Sequence, residues 1–507
     1  MHSFTQLRQQ PSRLPLVGLC ALALSVLSAC GGGGSESAGA DGSNAVVSAA
    51  ASAQAASDNI QAVPSFHRMP LSITAGDEDA DGSEHSRTHG PATLRTPTEL
   101  DGLGTRGVTD DDVTRFQRNH GSGGGRVGTS PTAAALTSVV YTPAQIRAAY
   151  QVPGATLADQ GAGQTIYIVD AYSHPKAVQD LNTFSRQFGL PTCSQATLST
   201  SATSLPGASA TACQIYVVNL NSRGAMTTTA PAYNAGWAQE IALDTQWAHA
   251  IAPLARIVLI QAASASVADL GNAIKLANKF GKGVVSMSFA AAEGAWVNNA
   301  AYSSALFGTA GMGYFAATGD NGYAANWPAI EPMVTAVGGT SLSYTSTTRQ
   351  ESAWSGTGGA ISSYVAKPTY QSYASIPGNT NFRAAGDVSM VADPNTGVYV
   401  AFTAATSTTT YLYAFGGTSL STPLWAALTT VANAARAAAN NSTTLGDTHT
   451  LLYSTLAGGS YSSYFNDINT GNNGTCAACA ATSLYDVPTG LGTPNASAIV
   501  SMLKASP

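Results

Sequence analysis

A short stretch near the C-terminal end of the chain has the residue types of a nucleophile at the start of a helix. It runs Gly416-Gly417-Thr418-Ser419 and continues to Pro423, which suits the first turn of a helix. Glycine adopts backbone angles that other residues avoid, and a hydroxyl at a helix N-terminus lies beside backbone N–H groups that lack helical partners. Such N–H groups can hold the negative oxygen that forms during acyl transfer. An ordinary helix N-cap is the alternative for the same residues.

A second stretch places two carboxylates one helical turn apart. Glu240 and Asp244 are four residues apart in an otherwise apolar segment that contains Trp237 and Trp247. Like charges at this spacing repel each other, and apolar surroundings raise the pKa of a carboxyl further. We therefore expect the two carboxyls to share a proton and to titrate as a pair. A solvated helix face is the alternative, although no Lys or Arg occurs between residues 225 and 254.

A third carboxyl, Asp320, follows an apolar run and lies within Thr318-Gly319-Asp320-Asn321-Gly322. An aspartate in a turn is the ordinary interpretation of this pattern. In its protonated form the same side chain can donate a hydrogen bond to an oxyanion, which makes it a candidate for the site.

Apolar runs typical of strands alternate with segments typical of helices from residue 141 onward. The predicted strands are 164–169, 214–220, 256–262, 284–289, 313–317 and 334–337, and the predicted helices are 142–150, 178–188, 234–250 and 267–280. Helices between buried strands indicate an α/β fold with a parallel sheet flanked by helices on both faces. Active sites of such sheets lie beyond the carboxyl ends of the strands, where Asp170 and Asp320 are expected.

These stretches together resemble the sedolisin family, the serine-carboxyl peptidases. The resemblance covers about residues 141–507 and rests on four motifs in family order: the Trp-Xaa-Xaa-Glu-Xaa-Xaa-Xaa-Asp helix, Gly319-Asp320-Xaa-Gly322, Val337-Gly338-Gly339-Thr340, and Gly417-Thr418-Ser419 before Pro423. It implies a subtilisin-like fold and an acid-active endopeptidase that cleaves peptide bonds through an acyl-enzyme. It also implies Ser419 as the nucleophile, Glu240 as the general base, Asp244 as the group that orients Glu240, and Asp320 as the oxyanion-hole acid.

The resemblance further implies one structural calcium ion near the C-terminus. Asp467-Ile468 and Asp486, which precedes Gly490-Leu491-Gly492, match the family pattern, and the carbonyls of Ile468, Thr482 and Leu484 would complete the ligand set. Carboxylates and backbone carbonyls suit a hard cation that prefers oxygen ligands. Thr482 and Leu484 stand where the family often has glycines.

The N-terminal residues have the features of a targeting segment. Residues 1–30 combine early arginines with an apolar run and end in Leu27-Ser28-Ala29-Cys30, which resembles a bacterial lipobox. We therefore expect a lipid anchor at Cys30 and an exported protein that is bound to the cell envelope, or secreted if an ordinary signal is cleaved nearby. Residues 31–140 are rich in Gly, Ala, Ser and Asp, which predicts a largely disordered tether or short pro-region before a peptidase domain over 141–507.

The composition of the chain limits the classes of partner that we expect it to bind. Charged residues are 10% of the chain and the net charge is −6, so the clustered Lys and Arg of a nucleic-acid surface are absent from the sequence. We expect protein or peptide substrates, contact with a membrane only through the lipid anchor, and a monomer. Cys193, Cys213, Cys476 and Cys479 suggest two local disulfides in an exported protein, with a zinc site as the alternative for the last pair.

Two other interpretations compete with the carboxyl peptidase. The first is a subtilisin-type Ser-His-Asp peptidase, because Val169-Asp170 follows an apolar strand as that family's aspartate does. Its histidine should open a helix in a His-Gly context, whereas the His-Gly pairs here fall at residues 89 and 120, in the segment that we expect to be disordered. The second is a surface binding lipoprotein that has kept the fold and lost catalysis.

Overall fold

The computed structural model of the chain describes residues 60–74, 108–109, 139–345, 348–376, 381–441 and 444–506. The helices are α1 (Pro143–Ala149), α2 (Ala177–Gln187), α3 (Ala235–Ile251), α4 (Val267–Phe280), α5 (Thr418–Ala438), α6 (His449–Ser454), α7 (Tyr461–Tyr464) and α8 (Ala496–Ala505). The strands are β1 (Val63–Pro64), β2 (His67–Thr74), β3 (Val108–Thr109), β4 (Val139–Val140), β5 (Thr165–Ala171), β6 (Ser194–Ala196), β7 (Gln214–Leu220), β8 (Met226–Thr227), β9 (Arg256–Ala262), β10 (Gly283–Met287), β11 (Phe289–Ala292), β12 (Met312–Ala317), β13 (Asn326–Trp327), β14 (Thr335–Thr345), β15 (Thr348–Ala353), β16 (Ile361–Ala366), β17 (Phe382–Ala384), β18 (Val388–Val391), β19 (Val398–Phe402), β20 (Tyr411–Gly416), β21 (Phe465–Asn466) and β22 (Thr493–Pro494).

The central sheet is built from the apolar runs seen in the sequence. Its strand order is β15-β14-β12-β10-β5-β9-β7-β6, with β18 added to β14 and β8 added to β7. The neighbouring pairs from β14 to β7 are all parallel. The strands β5, β9, β10 and β12 are buried along their whole length, as expected for a parallel sheet that is covered on both faces.

Helices cover both faces of this sheet. Along β5, Ile166 and Ile168 belong to the hydrophobic cluster that includes α3 and α5, whereas Tyr167 and Val169 belong to the cluster that includes α4. The alternation follows from the two-residue period of a strand, which sends successive side chains to opposite faces. The predicted fold class, a subtilisin-like parallel sheet flanked by helices, is confirmed.

Helix α3, which contains the acid pair, is enclosed by protein. The Asn234 side chain caps its first turn by accepting backbone N–H groups. On the side away from the sheet, the Gln246 amide exchanges hydrogen bonds of 2.7 and 2.9 Å with the backbone of Ala401, and Trp247 Nε1 donates to the Tyr399 carbonyl at 2.9 Å. The helix therefore lies between the central sheet and β19. The alternative of a solvated helix face is wrong.

Two of the small sheets outside the central one include strands from residues 60–74, upstream of the predicted domain. β1 pairs with β11, which pairs with β13, and β2 pairs with β20, which pairs with β19. The tether or pro-region over 31–140 stays a prediction as a whole, but residues 60–74 within it are not disordered. Backbone pairing with strands of the folded domain orders this stretch, and apolar side chains such as Ile60, Ala62 and Phe66 pack against the core.

Two disulfides join Cys193 to Cys213 and Cys476 to Cys479, as the cysteine pattern suggested. Within the described part of the chain, no helix combines the length and apolar character needed to cross a membrane. The targeting segment 1–30, with Cys30, lies outside the described residues.

Candidate active site

The start of α5 is shaped by a glycine. Gly417 precedes the helix with a φ of 118°, which L-residues with a Cβ rarely adopt. A Cβ at this position would lie 2.6 Å from Asp320 Oδ2. Both the backbone angle and the lack of space therefore require glycine where the chain enters the helix.

The position of Pro423 differs from the prediction. α5 begins at Thr418, so Pro423 lies inside the helix about one turn after its start. Proline has no N–H to donate to the carbonyl four residues earlier, which is that of Ser419. The Ser288 hydroxyl donates to this carbonyl instead, at 3.3 Å. The proline thus leaves the carbonyl of the candidate nucleophile without a helical donor, and the side chain of Ser288, between β10 and β11, donates to it instead.

Ser419 is fully buried and contacts the acid pair directly. Its Oγ donates to Glu240 Oε2 at 2.9 Å and lies 3.0 Å from the carbonyl oxygen of Ser288. A serine hydroxyl has one proton, so the two acceptors are alternatives for it. The contact with Glu240 has the geometry of a nucleophile beside a general base.

Three carboxyls form one buried cluster behind Ser419. Glu240, Asp244 and Asp170 are each 0% exposed, and none forms an ion pair with a described Lys, Arg or His. Burial, followed by the charge of the neighbouring carboxyls, raises the pKa of Glu240 and of Asp244 well above the usual range. Burial raises the pKa of Asp170 to about 8. The cluster therefore holds shared protons at acid pH and titrates as a unit.

Asp170 is a member of this cluster that the sequence did not assign to it. The sequence placed Asp170 at the active-site edge of the sheet and considered it as a subtilisin-type aspartate, but it did not connect Asp170 with the acid pair. In the structure its charge acts on both Glu240 and Asp244, and neither of its oxygens hydrogen-bonds a described residue. An aspartate directly after the apolar run Ile166 to Val169 was the available signal, because a buried charge is costly unless it has a role.

Asp320 lies on the other side of the helix start. Its Oδ1 accepts hydrogen bonds from the backbone N–H and the hydroxyl of Thr418, both at 2.8 Å. Its Oδ2 is buried and has no hydrogen-bond partner among the described residues. Burial raises the pKa of Asp320 to about 7, against the two hydrogen bonds from Thr418, which lower it. At acid pH the carboxyl is thus protonated. Oδ2, which lies 3.4 Å from Nε2 of the half-exposed His67 ring, is the oxygen that can carry that proton.

The proposed calcium ligands come together near α7. Leu484 N–H donates to Asp467 Oδ1 at 2.8 Å, and Thr482 N–H donates to Asp486 Oδ2 at 3.2 Å. Ile468 directly follows Asp467 in the chain and is buried. Leu484 has a φ of 71°, the left-handed conformation that explains why glycine would suit this position.

The two aspartates have no positive partner among the described residues. Burial, together with the charge of Asp467, raises the pKa of Asp486 to about 7. A hard cation such as calcium fits this donor set, because two carboxylates lie close together, one of them is buried, and no described Lys or Arg neutralises them.

Comparison with known proteins agrees with the fold and the motifs. No protein-family model matches the chain. Sedolisin from Pseudomonas sp. (strain 101) is 34% identical over 187 residues, which are 34% of this chain and 29% of sedolisin. Kumamolisin from Bacillus sp. (strain MN-32) is 32% identical over 217 residues, which are 37% of this chain and 38% of kumamolisin. The chain is related to the sedolisin family.

A solved sedolisin structure has the same fold as this chain. Pseudomonas sedolisin, described as a serine-carboxyl proteinase in complex with pseudo-iodotyrostatin, superposes with a TM-score of 0.56 at 23% identity. The match covers 73% of this chain and 99% of that structure. The sequence matches to the curated sedolisin relatives span only about a third of their length.

Proposed function

We propose that the chain is an acid-active serine-carboxyl endopeptidase with Ser419 as its nucleophile. The observation that carries this proposal is the 2.9 Å hydrogen bond from Ser419 Oγ to Glu240 Oε2, within a buried cluster of carboxyls. No described histidine hydrogen-bonds Ser419; His174 contacts Asp180 and His449 contacts Asp387. This supports a carboxylate base over the histidine of a subtilisin-type peptidase.

In the proposed reaction, Ser419 Oγ attacks a peptide carbonyl while Glu240 takes its proton. Asp244 and Asp170 share one negative charge with Glu240, so that the cluster becomes neutral when Glu240 takes the proton and negative again when Glu240 returns it. Ser419 N–H and protonated Asp320 donate to the oxyanion. Glu240 then returns the proton to the leaving amine, and water hydrolyses the acyl-enzyme.

Digestion of a denatured protein at acid pH is the direct test of this activity. A peptidase releases new peptides, which mass spectrometry identifies, whereas a surface binding lipoprotein without catalysis releases none. Peptide products that are equally abundant with a Ser419→Ala variant would assign the cleavage to a contaminant and reject the proposal.

We propose one structural calcium ion held by Asp467, Asp486 and the carbonyls of Ile468, Thr482 and Leu484. The cation neutralises two close carboxylates in the folded state. A ligand that binds only the folded state stabilises it by about 2.7 kcal/mol when its concentration is 100-fold above Kd. Chelation should therefore lower the melting temperature by several degrees, and added calcium should restore it while magnesium should not.

Asp467→Ala separates this effect from a general action of the chelator. The variant should melt at the temperature of the chelated wild type and should not respond to chelator. A wild-type melting temperature that is indifferent to chelation would reject the calcium site.

We propose that Cys30 carries a lipid anchor and that the protein is exported to the cell envelope, where it acts as a monomer on protein or peptide substrates. Fatty acid with a radioactive or clickable label should be incorporated in cells by the wild type and not by Cys30→Ser. Cys20→Ser is the matched control, because it removes a cysteine from the same segment but leaves Leu27-Ser28-Ala29-Cys30 intact. Equal labelling of Cys30→Ser would reject the anchor.

A further inference from the structure

The Cys476–Cys479 disulfide closes the tip of a hairpin that lies behind the Asp320 segment. This disulfide hairpin spans residues 471–481, and its two arms pair in antiparallel register. At the tip, Asn473 N–H donates to the Cys479 carbonyl at 3.0 Å. Cys476 is exposed and Cys479 is buried, so solvent reaches the disulfide from the Cys476 side.

The buried side chain of Asn473 holds a neighbouring loop by its backbone. Its Nδ2 lies 3.1, 3.1 and 2.9 Å from the carbonyl oxygens of Thr357, Gly358 and Gly359. The amide nitrogen has two hydrogens, so the three carbonyls share them. Because all three contacts are to backbone groups, this one amide fixes the course of the loop whatever its side chains are.

The same loop is bonded to the chain on both sides of Asp320. Before Asp320, the Gly319 carbonyl accepts the N–H of Gly358. After Asp320, Gly322 N–H donates to the Gly356 carbonyl at 3.0 Å. The backbone on either side of the candidate oxyanion-hole acid is therefore held by a loop that Asn473 holds in turn.

The disulfide hairpin also contacts the Asp320 segment directly. Tyr323 N–H donates to the Asn473 carbonyl at 2.7 Å. A Cβ at Gly474 would lie 2.8 Å from Cys479 Sγ and 3.3 Å from Tyr323 Cβ. The backbone at Gly474 thus fits tightly between the disulfide and the chain that follows Asp320, so a continuous series of contacts joins the two.

We propose that the Cys476–Cys479 disulfide is a reducible support of the oxyanion hole, and that it acts through Asn473 as a positioning residue. This inference rests on the proposed peptidase function. A dithiol reductant supplies two electrons and two protons: its own sulfurs become bonded to each other, and the bond between the two cysteine sulfurs is replaced by two thiols. The hairpin tip then loosens, and Asp320 is no longer held where it meets the oxyanion.

The other disulfide differs in access and in position. Cys193 and Cys213 are both buried, so a reductant reaches Cys476 first. Cys193 contacts α2 and the end of α3, away from Asp320. The sequence separation is 20 residues for this disulfide and 3 for the disulfide of the hairpin. Because a short closed loop stabilises the whole fold less than a long one, opening the hairpin disulfide acts locally.

The experiment compares the oxidised full chain, the same chain after reduction, and Cys476→Ser combined with Cys479→Ser. Dithiothreitol is added at neutral pH, where it forms thiolate; a shift to acid then stops thiol exchange and fixes the redox state during the assay. Alkylation of an aliquot and mass spectrometry show which disulfide is open. Reduction and the double variant should each lower kcat/KM for a peptide about tenfold, and reoxidation should restore the wild type.

Asn473→Ala tests the positioning residue itself. It removes the amide that holds the neighbouring loop and should lower kcat/KM by about 10²-fold, as a small misplacement of a catalytic group does. Asn472→Ala is the matched control, because it removes an exposed amide from the same arm of the hairpin. The control should stay within about twofold of the wild type. Equal activities of the two variants would overturn the role of Asn473.

The Asp320→Ala background distinguishes positioning of the oxyanion hole from a general loosening of the fold. In that background, reduction should change kcat/KM by less than about twofold, because the group that the disulfide positions has already been removed. A tenfold fall there as well would overturn the proposal. So would a wild type whose kcat/KM is the same with the hairpin disulfide open and closed.

Hydrogen exchange separates failure of this inference from failure of the proposed function. Reduction should speed the exchange of backbone N–H groups in 319–323 and 356–359 and leave β5 unchanged. If the oxidised chain hydrolyses no peptide while this exchange responds, the peptidase function is rejected and the support of the Asp320 segment stands. If it hydrolyses the peptide and neither exchange nor kcat/KM responds to reduction, the peptidase stands and the disulfide support is overturned.

Discussion

Replacing Ser419 with alanine is expected to lower kcat/KM for peptide hydrolysis by about 10⁴-fold or more. The change removes the oxygen that attacks the substrate and leaves the surrounding backbone unchanged. Glu240→Gln should cause a loss of similar order, because an amide of nearly the same shape does not accept the proton of Ser419 Oγ. The measurement is kcat/KM for a peptide substrate at the pH optimum of the wild type.

The double variant tests whether the two residues act as one unit. Ser419→Ala combined with Glu240→Gln should be little worse than either single change, because a base without its nucleophile has nothing to activate. Ser421→Ala is the matched control: it removes a buried hydroxyl from the same helix, one that donates to the Thr418 carbonyl at 3.0 Å.

The control should keep activity within about twofold of the wild type, since its hydroxyl faces the helix backbone and not the carboxyl cluster. Ser419→Ala activity within tenfold of the wild type, from protein free of other peptidases, would contradict the nucleophile assignment. Loss of activity in Ser421→Ala equal to that in Ser419→Ala would instead show that the helix start does not tolerate substitution.

The second large effect is the loss of activity as pH rises. Asp320 must be protonated to donate to the oxyanion, and its pKa of about 7 leaves it protonated in acid. Above that pH the carboxyl ionises, and its charge repels the oxyanion that it stabilised before. Activity should therefore peak in acid and fall about tenfold for each pH unit above 7, to a floor set by the lost donor, which is worth roughly 10²–10³ in rate.

Asp320→Asn tests the cause of this fall, because an amide donor does not titrate near neutral pH. The variant should be slower than the wild type in acid and should lose activity less steeply above pH 7. The measurement is kcat/KM against pH for both proteins, with circular dichroism at each pH to show that the fold persists. An optimum at neutral or alkaline pH in the wild type would contradict the carboxyl mechanism and favour a histidine base.

On the acid side of the same pH profile, the ionisation of the carboxyl cluster determines how activity rises with pH. Glu240 must be ionised to accept a proton, although burial raises its pKa. The first ionisation in the cluster meets no neighbouring negative charge, and the resulting charge is shared with Asp244 and Asp170. The pH at which activity appears therefore reports that first ionisation of the whole cluster and not the pKa of one residue. Asp170→Asn should shift the pH at which activity appears. If Asp170 had only a structural role, the substitution would leave that pH unchanged.

Local patterns in the sequence were sufficient for the features that depend on neighbouring residues. The four-residue spacing of Glu240 and Asp244 puts both on one face of α3, because a helix brings residues i and i+4 together without help from the rest of the fold. Continuous apolar runs predicted the buried parallel strands, since a sheet covered on both faces has no polar side. The position of Ser419 at a helix N-terminus was predicted in the same way, from the glycines that precede it.

Contacts between distant segments were decided only by the tertiary structure. Asp170 joins the acid cluster because β5 lies beside β9 under α3, and no local pattern encodes that neighbour. The interior position of Pro423 is tolerated because Ser288, from a different part of the sheet, fills the acceptor that it leaves. Segment 60–65, which includes β1, could not be placed from its own sequence, although it contains Ile60, Ala62 and Val63. Its backbone N–H and C=O groups bind it to neighbouring strands, and every sequence has such groups. Its position therefore depends on which strand edges of the folded domain are unpaired.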